Sequence, residues 1–169
     1  MDTHILEKLI DVSRSLAEER MLEPLLERAM TTALNLFNGE YGYLILLTPA
    51  GEMDFRVRQD WRGNRLSGPE AQVSHTIFDQ VIAKRQPLLT ADAVMDPDLL
   101  QSSSIMSLRL RSVVCVPLIV QERVLGALYM ENRSDREIFD RNDLKVLGYF
   151  AAHLAVSLRQ VQPAAFVNM

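Results

Sequence analysis

The residues best able to do chemistry in this chain are few, and their spacing points away from catalysis. Cys115 is the one cysteine. It lies in an apolar run where a free thiol behaves as a small hydrophobe, and with no second cysteine an internal disulfide or dithiol exchange is excluded. The 3 histidines, His4, His75 and His153, are dispersed and lack ligand spacing of the His-Glu-x-x-His kind, so no metal site is expected. Asp92, Asp96 and Asp98 share one short stretch and could hold a cation or a basic ligand. Aspartates beside proline more often cap turns and helices, and capping is the preferred reading. Neither a phosphate loop of the Gly-x-x-x-x-Gly-Lys type nor an arguable Ser/His/Asp arrangement occurs. What remains is binding chemistry.

The elements that must position these residues follow from periodicity. Ile5, Leu9, Val12 and Leu16 alternate spacings of four and three, the seam of an amphipathic helix or short coiled coil. Glu23-Pro24 interrupts the pattern, and Pro24 suits the first position of a second helix that stops at Asn38-Gly39. Residues 41–48 and 54–60 read as two strands joined by a Pro/Gly turn, an antiparallel hairpin. In the second of these, Phe55 and Val57 are expected on one face and Arg56 and Arg58 on the other. Residues 62–69, with two glycines and a proline, read as loop. Ser74 can cap a third helix carrying Ile77, Phe78, Val81 and Ile82, with Val73 and Phe78 at staple spacing and Pro87 as its stop.

Residues 88–90 form a short strand, Asp96-Pro97 opens a helical turn, and Ser102 to Ser104 is flexible or capping. Residues 112–120 are apolar on both faces, the mark of a central strand covered on both sides. Pro117 within it predicts a bulge or a locally unpaired site. Residues 124–131 are its hairpin partner, where Gly126 predicts close approach of another element, expected to be a helix. A last helix runs over about 141–160 and ends at Pro163. An antiparallel sheet with helices on its faces, an α+β fold, is the natural way to bury these elements.

Bulk properties narrow the class further. A chain of 169 residues fits one domain and needs no staples. Its 18 Lys and Arg against 22 Asp and Glu are spread without a basic block, so nucleic acid and an anionic membrane surface are not implied partners. The longest apolar run, residues 113–120, is too short to cross a bilayer, and the amino terminus lacks the basic start and apolar stretch of a signal peptide. Together with the lone cysteine this gives a cytoplasmic expectation.

Three stretches, in order, resemble the GAF family of small-molecule-sensing regulatory domains. Residues 108–118 followed by 124–132 are similar to the family's arginine-serine entry into a strand ending in Pro-Leu, then a hairpin strand with a Gly and a terminal Asn. Residues 74–82 with 87–92 and Asp96-Pro97 resemble its helix, strand and aspartate-proline loop, and residues 139–144 its entry into the last helix. The resemblance implies a GAF/PAS-like six-stranded antiparallel sheet flanked by helices, with a pocket between one sheet face and the region of about 74–108. It assigns residues 1–20 to an amino-terminal amphipathic helix, 22–160 to the domain and 161–169 to a tail. It also implies tandem placement with a kinase, cyclase, phosphodiesterase or transcription-activator output module.

Cyclic-nucleotide-binding members carry Asn-Lys, then Phe, three residues, and Asp-Glu. Here Asn132-Arg133, Phe139 and Asp143-Leu144 match it only in part. Structure explains most of that match: Asp140 is a good N-cap with Asp143 three residues on, Phe139 can staple against Leu144, and Arg133 could pair with Asp143. The family's enzyme that reduces free methionine sulfoxide needs more than one cysteine, and bilin attachment needs an exposed one. Neither fits Cys115.

Alternate side chains of the central strands, facing the helix-loop region, give the candidate lining: Tyr43, Trp61, His75, Thr90, Ser104, Arg111, Cys115 and Tyr129. Pockets of this kind combine aromatic walls with a few polar anchors. Arg111 is the anion anchor of the set, unless it pairs with a loop aspartate. Leu144, Leu147, Ala151, Leu154, Leu158 and Val161 form a second apolar stripe at the far end of the chain. Two such stripes predict a helical bundle between two subunits, a homodimer that passes ligand binding to an output domain. No enzyme activity is expected, and the ligand and any cofactor are unknown. The alternatives are a ligand-free dimerisation module and a cyclic-nucleotide-binding domain.

Overall fold

In the computed structural model, the residues described are 3–66, 75–90, 112–133 and 139–161. Two helices come first, α1 (Thr3–Glu18) and α2 (Leu22–Phe37), then β1 (Tyr41–Leu47) and β2 (Met53–Asp60). The chain continues through α3 (His75–Lys84), β3 (Leu88–Thr90), β4 (Ser112–Val120), β5 (Arg123–Asn132) and α4 (Arg141–Val161). The strands form one antiparallel sheet in the order β2-β1-β5-β4-β3.

Local signals act where the sequence places them. Asn38 takes the left-handed conformation, φ 56°, and its N–H donates to the Leu34 carbonyl to close α2. That helix begins two residues before Pro24, which still falls in the first turn, where a missing N–H costs nothing. At α4 the cap is reciprocal: the Asp143 N–H donates to Asp140 Oδ1 at 2.8 Å and the Asp140 N–H to Asp143 Oδ2 at 3.0 Å. Asp140→Ala is expected to cost about 1 kcal/mol, read as a shift in the urea midpoint at constant slope.

The sheet separates two apolar layers. On one side α2 and α4, with α1 packed against both, cover Leu44, Leu46, Val57, Val114, Val116, Leu128 and Met130. On the other α3 brings Ile77, Phe78 and Val81 against Tyr43, Ile45, Val113, Cys115, Ala127 and Tyr129. The terminal stripes belong to the first layer. Leu9 and Leu16 of α1 and Leu147, Ala151, Leu154 and Leu158 of α4 are buried within this one chain. Those residues therefore serve the chain's own core and are not left over for a bundle between subunits.

Several expectations need correction. Among the described residues the sheet has five strands, not the expected six. After Gly63 the chain folds back beside β2, but only the Gln59–Arg65 bridge forms, one step short of a strand. Phe55 and Val57 lie on opposite faces: the register slips between Leu44 and Ile45, so Val57 faces Leu44 and Phe55 faces Ile45. Arg56 is the extra residue of this bulge. The bulge near Pro117 falls one residue later, between Leu118 and Ile119. Pro117 itself pairs with Ala127, beyond the end of β3, whose pairing stops at Cys115. Gly126 does mark a close approach, but of strand β1 rather than a helix, for a Cβ there would sit 2.0 Å from the Ile45 carbonyl oxygen. The helix comes close instead at Gly42, where a Cβ would meet the Met30 side chain of α2. The expected cap Ser74, the Asp96-Pro97 turn and Ser102 to Ser104 lie outside the described residues.

Candidate functional site

The face of the sheet under α3 carries the aromatic side chains of the strands and a buried carboxylate. Period-two alternation along β5 puts Tyr129, Glu131 and Arg133 on this side, and the β1 pairing sets Tyr43 beside Tyr129 and Tyr41 beside Glu131. The Tyr43 and Tyr129 rings meet edge to face with centroids 5.6 Å apart, and Phe55 closes on Tyr43 at 6.5 Å. At the end of this aromatic row sits Glu131, with no exposed surface. Its carboxylate accepts from the Tyr129 hydroxyl at 2.9 Å and from Arg133 Nε at 3.0 Å, with a second bond from Arg133 Nη2. The Arg133 guanidinium lies 4.6 Å over the Tyr41 ring. The Arg58 guanidinium lies similarly over Phe55, at 4.7 Å.

Electrostatics follow from the burial. Desolvation pushes the Glu131 carboxyl up to about 7, against the pull of Arg133 and the Tyr129 hydroxyl. Burial works against the Arg133 charge as well, but Glu131 more than restores it and the guanidinium stays protonated. Burial, then the nearby Glu131, holds the Tyr43 phenol protonated, and burial alone does the same to the Cys115 thiol. A thiol so placed is a poor nucleophile.

The strand end beside this site is pinned by Asn132, which is buried. Its Oδ1 accepts from the Glu40 N–H at 2.6 Å and its Nδ2 donates to the Asn38 carbonyl at 3.4 Å, while the Arg133 N–H donates to Glu40 Oε1 at 2.9 Å. Asn132 thus ties β5 to the α2–β1 connection. Phe139 is buried in the core and its N–H donates to Ser112 Oγ at 3.0 Å. The partial cyclic-nucleotide signature is used here for structure: Asn132 at the strand end, and Asp143 in the α4 cap. Arg133 pairs with Glu131 rather than with Asp143.

The profile of the GAF domain family matches residues 21–158. The chain belongs to this family. No curated protein matches the sequence. Among solved structures, a free methionine-R-sulfoxide reductase from Neisseria meningitidis, in complex with its substrate, is similar with TM-score 0.72 at 21% identity, covering 95% of this chain and 91% of that one. The GAF domain of an Acinetobacter phosphoenolpyruvate-protein phosphotransferase is similar with TM-score 0.75 at 14% identity, over 99% of each chain. A far-red absorbing protein with bound biliverdin superposes with TM-score 0.70 at 15% identity, over 91% of this chain and 98% of that one. At these identities the likeness is one of fold. The fold serves regulatory, chromophore-bearing and enzymatic proteins, so the α+β GAF architecture by itself does not fix an activity.

Within this GAF domain the sequence-derived lining splits. Tyr43, Cys115 and Tyr129 share the α3 face, and Thr90, buried opposite Val113, joins them. His75 is the exposed first residue of α3. Trp61 stands apart, 48% exposed beyond the end of β2, with the Arg62 guanidinium stacked on it. Ser104 and Arg111 lie outside the described residues. Sequence reasoning missed Glu131, Arg133, Tyr41 and Phe55. Glu131 had a readable signal: a carboxylate two residues from Tyr129, on an otherwise apolar strand face.

A separate open cleft of about 390 Å³ runs along the β2 edge, where Glu23, Glu27 and Thr31 of α2 face Arg56, Gln59 and Arg65. Polar groups across it pair with one another: Arg56 with Glu23, Arg65 with Glu27 at 3.2 Å, and Gln59 with Thr31 at 3.0 Å. No group of His, Cys, Asp and Glu among the described residues could hold a metal, and no described helix is long and apolar enough to cross a membrane.

Proposed function

We propose that this GAF domain is a regulatory sensory module of a cytoplasmic bacterial signalling protein. It binds a small molecule on the sheet face under α3 and carries the change through a helical dimer interface to an output domain of kinase, cyclase or transcription-activator type. The observation that carries the reading is Glu131, a fully buried carboxylate hydrogen-bonded on an aromatic face. An apolar residue there would be cheaper for a domain that only had to fold, because desolvating an ion pair commonly costs more than the pairing returns. Polar groups kept in that setting support ligand recognition. Tyr43, Thr90, Cys115 and Tyr129 would line the site with Glu131. Catalysis of the dithiol kind is disfavoured by one buried thiol.

Thermal shift against cyclic nucleotides, haem, bilins and amino-acid metabolites tests this. A compound that raises the melting temperature in the native chain, and loses that effect in Tyr129→Phe or Glu131→Gln, supports it. If no compound does so, the ligand reading fails. A second reading, a ligand-free dimerisation module, has one observation in its favour: Tyr43 is wholly buried and fills the space beside Tyr129. It gains if the panel is silent.

For the dimer, the stripes named from sequence are consumed by the core, so the supporting surface is a different one. Leu6 and Ile10 on α1, and Tyr149 and Val156 on α4, are exposed, and α1 packs along α4. Residues one turn apart on α1 and two turns apart on α4 present an apolar strip suited to a matching helix pair. The variant Tyr149→Glu/Val156→Glu should convert a dimer to a monomer by light scattering with little loss of stability, since both residues are exposed. A native chain that is monomeric at high concentration, or a variant that stays dimeric, would remove this part of the proposal.

A further inference from the structure

We infer that Glu131 is the anchor for a flat organic cation, an amidinium or guanidinium, and that Arg133 occupies its place as an internal surrogate which the ligand displaces. This rests on the ligand-binding reading of the α3 face and names the class of ligand. The ion pair is local. Arg133 is the first residue after β5, two positions beyond Glu131 on the same side of the sheet. Their pairing closes no long loop; it draws the buried carboxyl toward its charged form, against the desolvation that favours the neutral one. What the pair does show is how the site receives a planar cation. Two nitrogens of the guanidinium, Nε and Nη2, bond Glu131 Oε1, while its face lies 4.6 Å over the Tyr41 ring.

The buried Tyr129 hydroxyl fixes the carboxylate from behind, and the half-buried Tyr41 ring is the apolar surface beside the charge. Of the two partners only Arg133 meets solvent, with 23% of its side chain exposed. It can also leave cheaply. Its backbone N–H stays on Glu40 Oε1, and Asn132 before it stays pinned to residues 38 and 40, so departure takes a side-chain rotation and no break in β5. The freed guanidinium then stands at the start of the connection from β5 to α4, the helix that carries the exposed Tyr149 and Val156. Ligand capture is thereby exchanged for a change of charge beside that connection, the kind of differential contact a regulated equilibrium requires.

The probe is benzamidinium, with neutral benzamide as its control, on the full chain. An internal competitor lowers apparent affinity by the fraction of sites it occupies. Arg133→Gln is therefore expected to bind benzamidinium at least tenfold more tightly than the native chain by calorimetry, and Glu131→Gln not to bind it. In the native chain, saturating benzamidinium should move the Arg133 Nε–H resonance of an arginine-labelled sample from its bonded position to that of a free side chain. That reading needs no variant to fold. Equal affinity with and without Arg133, binding that survives Glu131→Gln, an equal response to benzamide, or an unmoved Arg133 resonance would each overturn the inference. If a neutral or anionic compound from the panel binds at Tyr43 and Tyr129 while benzamidinium leaves that resonance in place, the cation inference falls and the ligand-binding reading stands.

Discussion

Gly126→Ala is expected to cost about 3–5 kcal/mol or to prevent folding outright, a loss reserved for changes that leave the core no way to relax. The added Cβ would stand 2.0 Å from the Ile45 carbonyl oxygen and 2.8 Å from the Leu46 Cα. Both atoms belong to the backbone of β1, which pairs with β5 from Tyr41 to Leu46. Neither can rotate away, so relief means parting the two central strands. Gly42→Ala is the control, because there the nearest atoms are the Met30 Cε at 2.3 Å and Sδ at 2.8 Å. A thioether end has rotamers to spare, and a cost of about 1–2 kcal/mol is expected. Guanidinium denaturation of the two variants side by side checks this. A Gly126→Ala protein within about 1 kcal/mol of the native chain would mean that β1 and β5 are not so closely set.

The second large effect is a pH dependence of stability that belongs to Glu131. Its folded-state value, about 7, stands above the ordinary 4.5. Between those values the native state holds a proton that the unfolded state has released, so stability falls as pH rises. The contribution is fully present below about 4.5 and lost as pH passes through about 7. A shift of this size corresponds to about 3 kcal/mol over the window. Glu131→Gln removes the titrating group while keeping a partner for the Tyr129 hydroxyl. The variant should lose stability relative to the native chain at pH 5 and gain on it by pH 8. Denaturation midpoints at pH 5, 6, 7 and 8 for the two proteins give the difference directly. Parallel curves would show that Glu131 keeps one charge state throughout, and a native chain growing more stable toward pH 8 relative to the variant would reverse the sign.

Much of the fold was legible because the decisive signals are local. Asn38 after Phe37, the Asp140–Asp143 box, the apolar strand at Ser112–Val120 and its hairpin partner all lie where residue chemistry puts them. What escaped depends on pairing between segments. The slip at Leu44/Ile45 turns Phe55 and Val57 to opposite faces, and no pattern within β2 announces it, since the partner strand sets the register. The crowding at Gly126 was legible, but not that its neighbour is a strand, which only the β1–β5 pairing decides. The terminal stripes were real but assigned to the wrong partner, because periodicity reports that a helix face is covered and not by what.

The site divides in the same way. Alternation put Tyr43, Cys115 and Tyr129 on the face under α3. Polar residues are common in loops and mark anchors there, whereas this carboxylate, Glu131, stands on a central strand of the sheet. The spacing of Glu131 from Tyr129 was readable, but its burial was not, for a glutamate on a strand is ordinarily a solvent-facing residue. Trp61, expected in the aromatic wall, sits half-exposed on the turn after β2.

The most direct measurement is a titration of ring-labelled tyrosine in the native chain, followed by NMR, with any compound that shifts the melting temperature and with benzamidinium. Tyr43 and Tyr129 lie buried on the face under α3, and Tyr149 lies exposed on α4, so the rings report separately on the two places. The expected result is saturable movement of the Tyr43 and Tyr129 resonances at ligand concentrations that leave the Tyr149 ring unmoved or shift it only as the dimer responds. Compounds that stabilise the protein while Tyr43 and Tyr129 stay unmoved would place binding elsewhere and contradict a ligand site on this face of the sheet.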